Sequence, residues 1–227
     1  MRRQRGGSKS FCDTNSFSAT KIMLKIYLAR HGQDRDNASG ILNGRRDEPL
    51  TELGLEQAKT LAKEIVVAKL SFDVTYSSPL RRAYVTAQTI TDALGIAKPI
   101  IMPDLIERDF GVMTGKLTKD IAKLCSPEIL QADPITYFLS PEGAETFPDL
   151  MKRGRRIIKE IQERHKDGSI LLVGHGDFGK MIYAAYYNLD WKSVLRMFHF
   201  GNSELLLLSE DSSPEEARVF HFQQYNH

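Results

Sequence analysis

The feature that most constrains the fold is an alternation of short apolar segments with longer amphipathic ones along almost the whole chain. The apolar segments have the length of strands, and the amphipathic ones show helical spacing. Parallel strands need a long crossover between them, and a helix usually supplies it. The sequence therefore predicts an α/β fold, a three-layer α/β/α sandwich with a mostly parallel sheet covered on both faces.

The predicted elements are bounded by their apolar spacing and by residues that begin or end helices. Thr51 is a capping residue, Pro79 suits a first helical position, and Gly95 suits the end of a helix. The segment 112–145 is irregular and is expected to lie over one end of the sheet. Strands are predicted at 23–28, 72–76, 100–102, 169–173, 204–208 and 218–222, with the last two at an edge, and helices at 52–67, 79–95, 147–165 and 178–187.

The length of 227 residues suits one α/β domain, which is predicted over residues 22–227. Residues 1–21 are rich in Arg, Ser and Gly without periodicity, so a disordered basic tail is predicted. An organellar transit peptide is the alternative for this stretch, because it is poor in acidic residues. Cys12 and Cys125 show no CxxC spacing and favour a reducing compartment, so a cytoplasmic location is predicted.

Composition argues against two classes of partner. The net charge of +2 originates in the first 23 residues, so the rest of the chain has no basic excess for binding nucleic acid. No apolar run approaches the roughly 20 residues that span a bilayer, so no membrane partner is predicted. The sequence has no HExxH or paired-aspartate pattern, and we predict neither a metal nor a cofactor.

Three polar clusters follow predicted strands at the point where each strand ends. They are Arg30-His31-Gly32, the run from Ser77 to Arg82, and Gly174-His175-Gly176. Because ligands of parallel sheets bind beyond the carboxyl ends of the strands, the clusters are expected to meet at one edge. Each cluster alone has an ordinary explanation, since a single histidine is more often a structural hydrogen-bonding residue and paired arginines often form a solvated helix face.

The third cluster also fits the glycine pattern of a dinucleotide site, because Gly174, Gly176 and Gly179 follow a strand and open a helix. In that fold a second strand with an acidic end should follow the helix. Here Asp190-Trp191 follows without such a strand, and His175 inside the loop suits direct chemistry better than close backbone packing. The dinucleotide reading is therefore disfavoured.

Together the clusters and two further motifs resemble the histidine phosphatase superfamily, also called the phosphoglycerate mutase-like family. The resemblance covers about residues 24–208 and implies that family's fold and a phosphatase of that family. The five motifs, in family order, are Leu28-Ala29-Arg30-His31-Gly32-Gln33, Asn43-Gly44 with Asp47 to Gly54, Ser77-Ser78-Pro79-Leu80-Arg81-Arg82-Ala83, Leu105-Ile106-Glu107-Arg108-Asp109-Phe110-Gly111, and Val173-Gly174-His175-Gly176.

The resemblance implies a role for each matching residue. His31 takes the place of the family's nucleophile, with Arg30 and Arg82 as its phosphate-binding arginines. Glu107 takes the place of the proton donor, and His175 that of the second catalytic histidine. Arg30, Arg82 and Glu107 are expected to contact substrate as well, together with Asn37, Asn43, Gly44, Glu145 and Gly176.

Two residues depart from the family pattern. Asp34 stands where the family often has Ser or Thr, so a hydroxyl donor to phosphate is missing. Asp177 follows the second His-Gly, where a small neutral residue is common. Both departures are expected to put negative charge near an anionic substrate and thereby to affect affinity and specificity.

These residue types suit phosphoryl transfer. Arginine forks bind two phosphate oxygens at once, and neutral imidazole is a nucleophile near pH 7. A carboxylic acid can protonate the leaving oxygen. The sequence therefore predicts a metal-independent phosphomonoester hydrolase that acts through a phosphohistidine on His31, with a small phosphorylated metabolite as substrate.

Two alternatives are a phosphoglycerate mutase and a family member that binds phosphorylated ligands without turnover. A mutase must keep water from its phosphohistidine, and the mutase branch carries a long insertion for this purpose. Here the stretch between Gly111 and Glu142 is short and contains Pro127, Pro134 and Pro141, which favours a phosphatase. A binder without turnover would not need Glu107.

Overall fold

The computed structural model describes residues 23–220 of the chain. The predicted tail at 1–21 and the last two residues of the strand predicted at 218–222 lie outside the described residues. Within residues 23–220, no helix is both long enough and apolar enough to cross a membrane.

The described elements follow the predicted alternation. The strands are β1 (Lys25–Arg30), β2 (Val74–Ser77), β3 (Ile100–Ile101), β4 (Ile129–Ala132), β5 (Ile135–Phe138), β6 (Ser169–Gly174), β7 (Leu205–Leu208) and β8 (Arg218–Phe220). The helices are α1 (Arg35–Ala38), α2 (Glu52–Val67), α3 (Arg81–Leu94), α4 (Ile121–Cys125), α5 (Phe147–Arg164), α6 (Gly176–Tyr186) and α7 (Trp191–Met197).

The main sheet has six strands in the order β3-β2-β6-β1-β7-β8. The pairs β1–β6, β2–β6 and β2–β3 are parallel, whereas β7 runs antiparallel to β1 and to β8. Alternate side chains of β1 enter two different cores. Ile26 and Leu28 pack with residues of α5 and α6, while Tyr27 and Ala29 pack with residues of α2 and α3. The predicted three-layer sandwich is therefore confirmed.

The register of the sheet places the polar clusters at one edge. Arg30 at the end of β1 lies opposite Gly174 at the end of β6, and Ser77 at the end of β2 lies opposite Val173. Three parallel strands thus end at the same level. The residues that follow them, His31, Ser78 and His175, enter the same region of the molecule.

Helix termini follow the predicted signals at two positions and differ at a third. The Thr51 side chain accepts from Gly54 N at the start of α2, and Gly95 ends α3 in the left-handed region with a φ of 65°. The prediction that Pro79 is the first helical residue is wrong, because Leu80 is still extended and α3 begins at Arg81. The backbone N–H of Arg81, the first residue of α3, donates to Asp47 Oδ1 at 2.7 Å rather than to a group within the helix.

The segment 112–145 is more regular than predicted. It contains α4 and a separate two-stranded sheet, β4–β5, that does not join the main sheet. Met113, Ile121 and Phe138 form a small core with Leu42 and Phe110. Leu130 of β4 and Tyr137 of β5 instead pack in the core that contains residues of α5 and α6. These elements are too short for the periodicity of their apolar residues to be recognised. The short helices α1 and α7 were missed for the same reason.

Candidate active site

Two histidines meet where β1 and β6 end, as the sequence predicts. The ring centroids of His31 and His175 are 5.0 Å apart, and both side chains are buried. Gly32, the residue after His31, packs directly on α2, because a Cβ there would overlap the backbone of Gly54 in the first turn of that helix. A Cβ at Gly54 would likewise overlap the backbone of Gln33, so both glycines are needed for the β1 loop to pack against α2.

The His31 ring is held in one tautomer. Its Nδ1 lies 2.6 Å from the carbonyl oxygen of Gly32, and a carbonyl can only accept, so Nδ1 carries the proton. The lone pair is therefore on Nε2, where Arg82 Nε donates at 3.2 Å. Burial, followed by the charges of Arg82 and Arg30, holds the pKa of His31 well below its usual value. A neutral imidazole whose lone pair is on Nε2 is the form a nucleophile requires, once substrate replaces the Arg82 bond.

Arg82 is buried on α3, and protein oxygens hold its guanidinium group. Its two terminal nitrogens donate to the carbonyl oxygens of Arg46 at 2.5 Å and Gly44 at 2.8 Å. Its Nε also lies 3.2 Å from Asp34 Oδ2. Arginine keeps its charge in proteins, so Arg82 brings a fixed positive charge to His31.

Asp34 is buried and fully engaged rather than directed at a ligand. Asn43 Nδ2 donates to its Oδ2 at 2.6 Å, and Asn37 N donates to its Oδ1 at 2.8 Å, which caps α1. Burial raises the pKa of Asp34, while the charge of Arg82 opposes that shift. The structure therefore gives Asp34 a supporting role: it forms an ion pair with Arg82 and accepts a hydrogen bond from Asn43.

Arg30 approaches the same region from the end of β1. One terminal nitrogen donates to the carbonyl oxygen of Phe200 at 2.6 Å. Its Nε is buried, and no residue between 23 and 220 accepts from it. The guanidinium carbon would lie 3.4 Å from a Cβ at position 176, so Gly176 leaves room for the arginine plane. A buried donor of this kind suits an oxygen atom supplied by a ligand.

His175 lies between β6 and α6 with one nitrogen engaged. Its Nε2 is 2.7 Å from Ser78 Oγ, and its Nδ1 has no partner within the described part of the chain. Burial, with the charges of Arg82, His31 and Arg30, holds the pKa of His175 well below its usual value. The ring is therefore neutral and can donate one hydrogen bond.

The Glu107 carboxyl accepts hydrogen bonds from three backbone amides, two of them at the N-terminus of α6. Phe178 N and Arg108 N donate to its Oε1 at 3.0 and 2.8 Å, and Asp177 N donates to its Oε2 at 3.3 Å. Burial is the main reason that the pKa of Glu107 is raised, and the charge of Asp177 adds to the effect. A buried carboxyl with a raised pKa can hold a proton for a leaving group.

A cavity of about 360 Å³ opens beside these groups. Five of the residues predicted from the sequence line it: Arg30, Asn37, Asn43, Glu107 and Gly176. The two histidines and Arg82 are buried next to the cavity and do not line it. The wall on the far side comes from segments without sequence signal and includes Thr118, Ile135, Tyr137, Lys180 and Phe200.

Two predicted substrate contacts lie away from this cavity. Glu145 is held by Arg153, whose Nε and terminal nitrogen donate at 3.0 and 2.7 Å, and by Arg45 at 3.2 Å. Gly44 offers its carbonyl oxygen to Arg82 and is in the left-handed region with a φ of 49°. The structure thus brings Gly44 to the site as a support for Arg82, and substrate contact by either residue stays a prediction.

Several residues at the site carry no sequence signal for the contacts they make. Ser78 lies in a quoted motif, yet its hydrogen bond to His175 was not foreseen. Asn202 donates to the carbonyl oxygen of His31 at 2.9 Å from the loop before β7. Tyr137 and Lys180 carry no motif at all, so only the fold could reveal them in the cavity wall.

The family is shown by direct comparison. The family model described as "Histidine phosphatase superfamily (branch 1)" matches residues 26–220. The chain belongs to this superfamily, and the predicted family and enzyme class are confirmed.

Curated relatives carry both phosphatase and mutase names. A "Putative phosphoserine phosphatase 2" of Hydrogenobacter thermophilus is 36% identical over 84% of this chain and 93% of its own length. A "Metal-independent phosphoserine phosphatase" of Arabidopsis thaliana is 33% identical over 71% of this chain and 68% of its own length. A "2,3-bisphosphoglycerate-dependent phosphoglycerate mutase" of Mesorhizobium japonicum is 33% identical over 74% of this chain and 82% of its own length.

A solved structure shows the same arrangement of the chain. A mycobacterial glucosyl-3-phosphoglycerate phosphatase superposes with a TM-score of 0.69 at 26% identity. The match covers 89% of this chain and 98% of that one. The predicted fold family is therefore confirmed along nearly the whole length of both chains.

Proposed function

We propose that this protein hydrolyses phosphate monoesters through a covalent phosphohistidine on His31. The observation that carries the proposal is the state of that ring. Gly32 fixes its proton on Nδ1, and Nε2 offers a lone pair beside the guanidinium group of Arg82. A neutral nucleophile next to fixed positive charge is the arrangement that attack on an anionic phosphate needs.

The phosphate group is bound by charge and by directed hydrogen bonds. Arg30 offers a buried Nε–H without a partner in the described part of the chain, and Arg82 offers its Nε–H once the bond to His31 gives way to substrate. His175 adds its Nδ1–H in the tautomer in which Ser78 Oγ donates to Nε2. Protein carbonyl oxygens hold both guanidinium groups at the site, so only the Arg82–His31 bond has to exchange when phosphate binds.

The reaction proceeds in two steps with Glu107 as the acid and then the base. His31 Nε2 forms a bond to phosphorus as the ester P–O bond breaks, and the Glu107 proton passes to the leaving oxygen. Water then attacks phosphorus and gives a proton to the Glu107 carboxylate. The P–N bond breaks, and inorganic phosphate leaves with the enzyme restored.

The positive charge for this chemistry comes from arginines, and we propose that no metal takes part. A relative from Arabidopsis thaliana that is named a metal-independent phosphoserine phosphatase supports this proposal. A cavity of about 360 Å³ suits a small ligand. The names of two relatives, which refer to phosphoserine and glucosyl-3-phosphoglycerate, support a small phosphorylated metabolite as the substrate class.

Mutase activity is the second candidate, because relatives of similar identity carry that name. The chain between Gly111 and Glu142 folds into α4 and the β4–β5 hairpin, which is a small cover over the cavity. Because this cover is small, it leaves water access to the phosphohistidine. That access favours hydrolysis over transfer of the phosphoryl group back to substrate.

One experiment distinguishes ester hydrolysis, mutase activity and the binding of phosphorylated ligands without turnover. The protein is treated with EDTA and given 3-phosphoglycerate in a coupled enolase assay, while inorganic phosphate is measured in parallel with a panel of small phosphomonoesters. We expect release of phosphate from the panel and little interconversion of phosphoglycerates. Mutase turnover well above phosphate release would contradict the proposal, as would ligand binding with no turnover of any ester.

A further inference from the structure

Asp177 is the second residue of α6 and touches the proposed acid through its backbone. Its N–H donates to Glu107 Oε2 at 3.3 Å, while its carboxylate accepts from a terminal nitrogen of Arg108 at 3.1 Å. Arg108 is the chain neighbour of Glu107, and its own N–H donates to Glu107 Oε1 at 2.8 Å. The three residues therefore form a closed ring of contacts around one carboxyl group.

Arg108 is fixed by groups that have no part in the chemistry. It is fully buried and donates to the carbonyl oxygens of Glu145 at 2.9 Å and Phe138 at 2.8 Å. Its guanidinium carbon lies 4.1 Å from the ring centroid of Phe147 and 4.3 Å from that of Phe138. Because Arg108 is held in this way, it fixes the Asp177 carboxylate in one place at the cavity wall.

Charged groups face Glu107 from several elements. Asp177 raises the pKa of Glu107, next in importance to burial, and Arg82 on α3 lowers it. Arg45 and Arg153 reach only the backbone carbonyl oxygen of Glu107, at 3.2 and 3.4 Å. Other groups that face this region are Arg108 beside it in the chain, Arg30 from β1 and Tyr137 from β5.

We propose that Asp177 is a positioning residue that, held by Arg108, keeps Glu107 oriented and protonated as the donor to the leaving oxygen. Its negative charge disfavours a second negative charge on the neighbouring carboxyl. The inference rests on the proposed function, because it assigns Asp177 a role through Glu107. It also gives a role to an acidic residue whose position in the sequence indicates negative charge near an anionic substrate.

A simpler explanation is that Asp177 only stabilises the N-terminus of α6, as acidic residues in a first turn do. Asp149 provides a matched control, since it lies in the first turn of α5 and is exposed. A role limited to helix stability would move the melting temperature and leave the pH profile of catalysis unchanged.

The test compares Asp177→Asn and Asp177→Glu with Asp149→Asn. Turnover of an alkyl phosphate and of p-nitrophenyl phosphate is measured from pH 5 to 9. For the alkyl ester we expect Asp177→Asn to move the alkaline limb to lower pH and to lower kcat at pH 8 by about tenfold, within the range of general-acid effects. The loss on p-nitrophenyl phosphate should be smaller, because that leaving group needs little protonation.

Asp177→Glu keeps the negative charge, so its alkaline limb should lie at the same pH as in the wild type. Asp149→Asn should match the wild type in both kcat and pH profile. Equal losses on both esters with an unmoved limb would overturn the inference. If Asp177→Asn does not fold, Asp177→Ser removes the charge in its place, and an unmoved limb with equal losses on both esters in that variant would overturn the inference. Glu107→Gln distinguishes failure of this inference from failure of the proposed function. If that variant loses the same activity on both esters, Glu107 is not the proton donor and the proposed function itself fails.

Discussion

Arg82 donates its Nε–H to Nε2 of His31 at 3.2 Å, so the guanidinium group touches the proposed nucleophile in the absence of substrate. This contact has two effects. It places fixed positive charge where phosphate must arrive, and it helps to keep His31 in the neutral form. Substrate phosphate would take over the same N–H, so binding and attack use one donor.

Arg82→Lys should lower kcat/KM by about 10²- to 10³-fold, the cost of losing one donor in a site of this kind. Lysine keeps the charge but cannot donate to Gly44, Arg46 and His31 together, because it lacks the planar fork. Steady-state kinetics with p-nitrophenyl phosphate measures the effect. Arg81→Lys is the control, since Arg81 is exposed and pairs with Asp47. Equal losses in both variants would contradict a specific role for Arg82.

Asp34→Asn should lower the free energy of unfolding by about 3 kcal/mol, because it leaves the buried charge of Arg82 without its carboxylate. The matched exposed pair is Arg81 with Asp47, and Asp47→Asn should cost less than about 1 kcal/mol. Urea unfolding monitored by circular dichroism gives both values. Similar costs for the two variants would show that Asp34 does not serve as the counter-ion of Arg82.

Glu107→Gln should slow hydrolysis of an alkyl phosphate by about 10²-fold or more, and that of p-nitrophenyl phosphate much less. The raised pKa of Glu107 sets the sign of the pH dependence. The acid form that the first step needs persists above the usual range of a glutamate and is lost as pH rises through the raised pKa. The alkaline limb of kcat for the alkyl ester should therefore disappear in the variant. An unchanged limb would assign the proton donor elsewhere.

The fold and the convergence of the candidate site residues could be predicted because both depend on local signals, and the family resemblance suggested the role of each residue. Apolar strands end abruptly at Arg30, Ser77 and Gly174, and the register of a parallel sheet brings such ends together. Thr51 and Gly95 act at helix ends through their own side chain or backbone, so their neighbours in sequence suffice to recognise them.

The charges around the site could not be predicted in the same way. Asp34 and Asp177 were expected to put negative charge near the substrate, and only Asp177 lines the cavity. Their carboxylates are paired with Arg82 and Arg108, which lie 48 and 69 positions away. Such pairs form across elements, and no spacing in the sequence reports them. The cavity wall from α4 and the β4–β5 hairpin could not be predicted, because elements of four or five residues show no clear period.

A covalent phosphohistidine on His31 is the intermediate on which the proposed function depends. Trapping that intermediate is the most direct test. The protein is mixed with phosphate-labelled p-nitrophenyl phosphate, quenched in alkali within milliseconds and digested, and the labelled peptide is identified. We expect a label on His31 that is stable in alkali and lost in acid, absent in His31→Ala and present in a His165→Gln control. Full turnover by His31→Ala, or a label on another residue, would contradict the account.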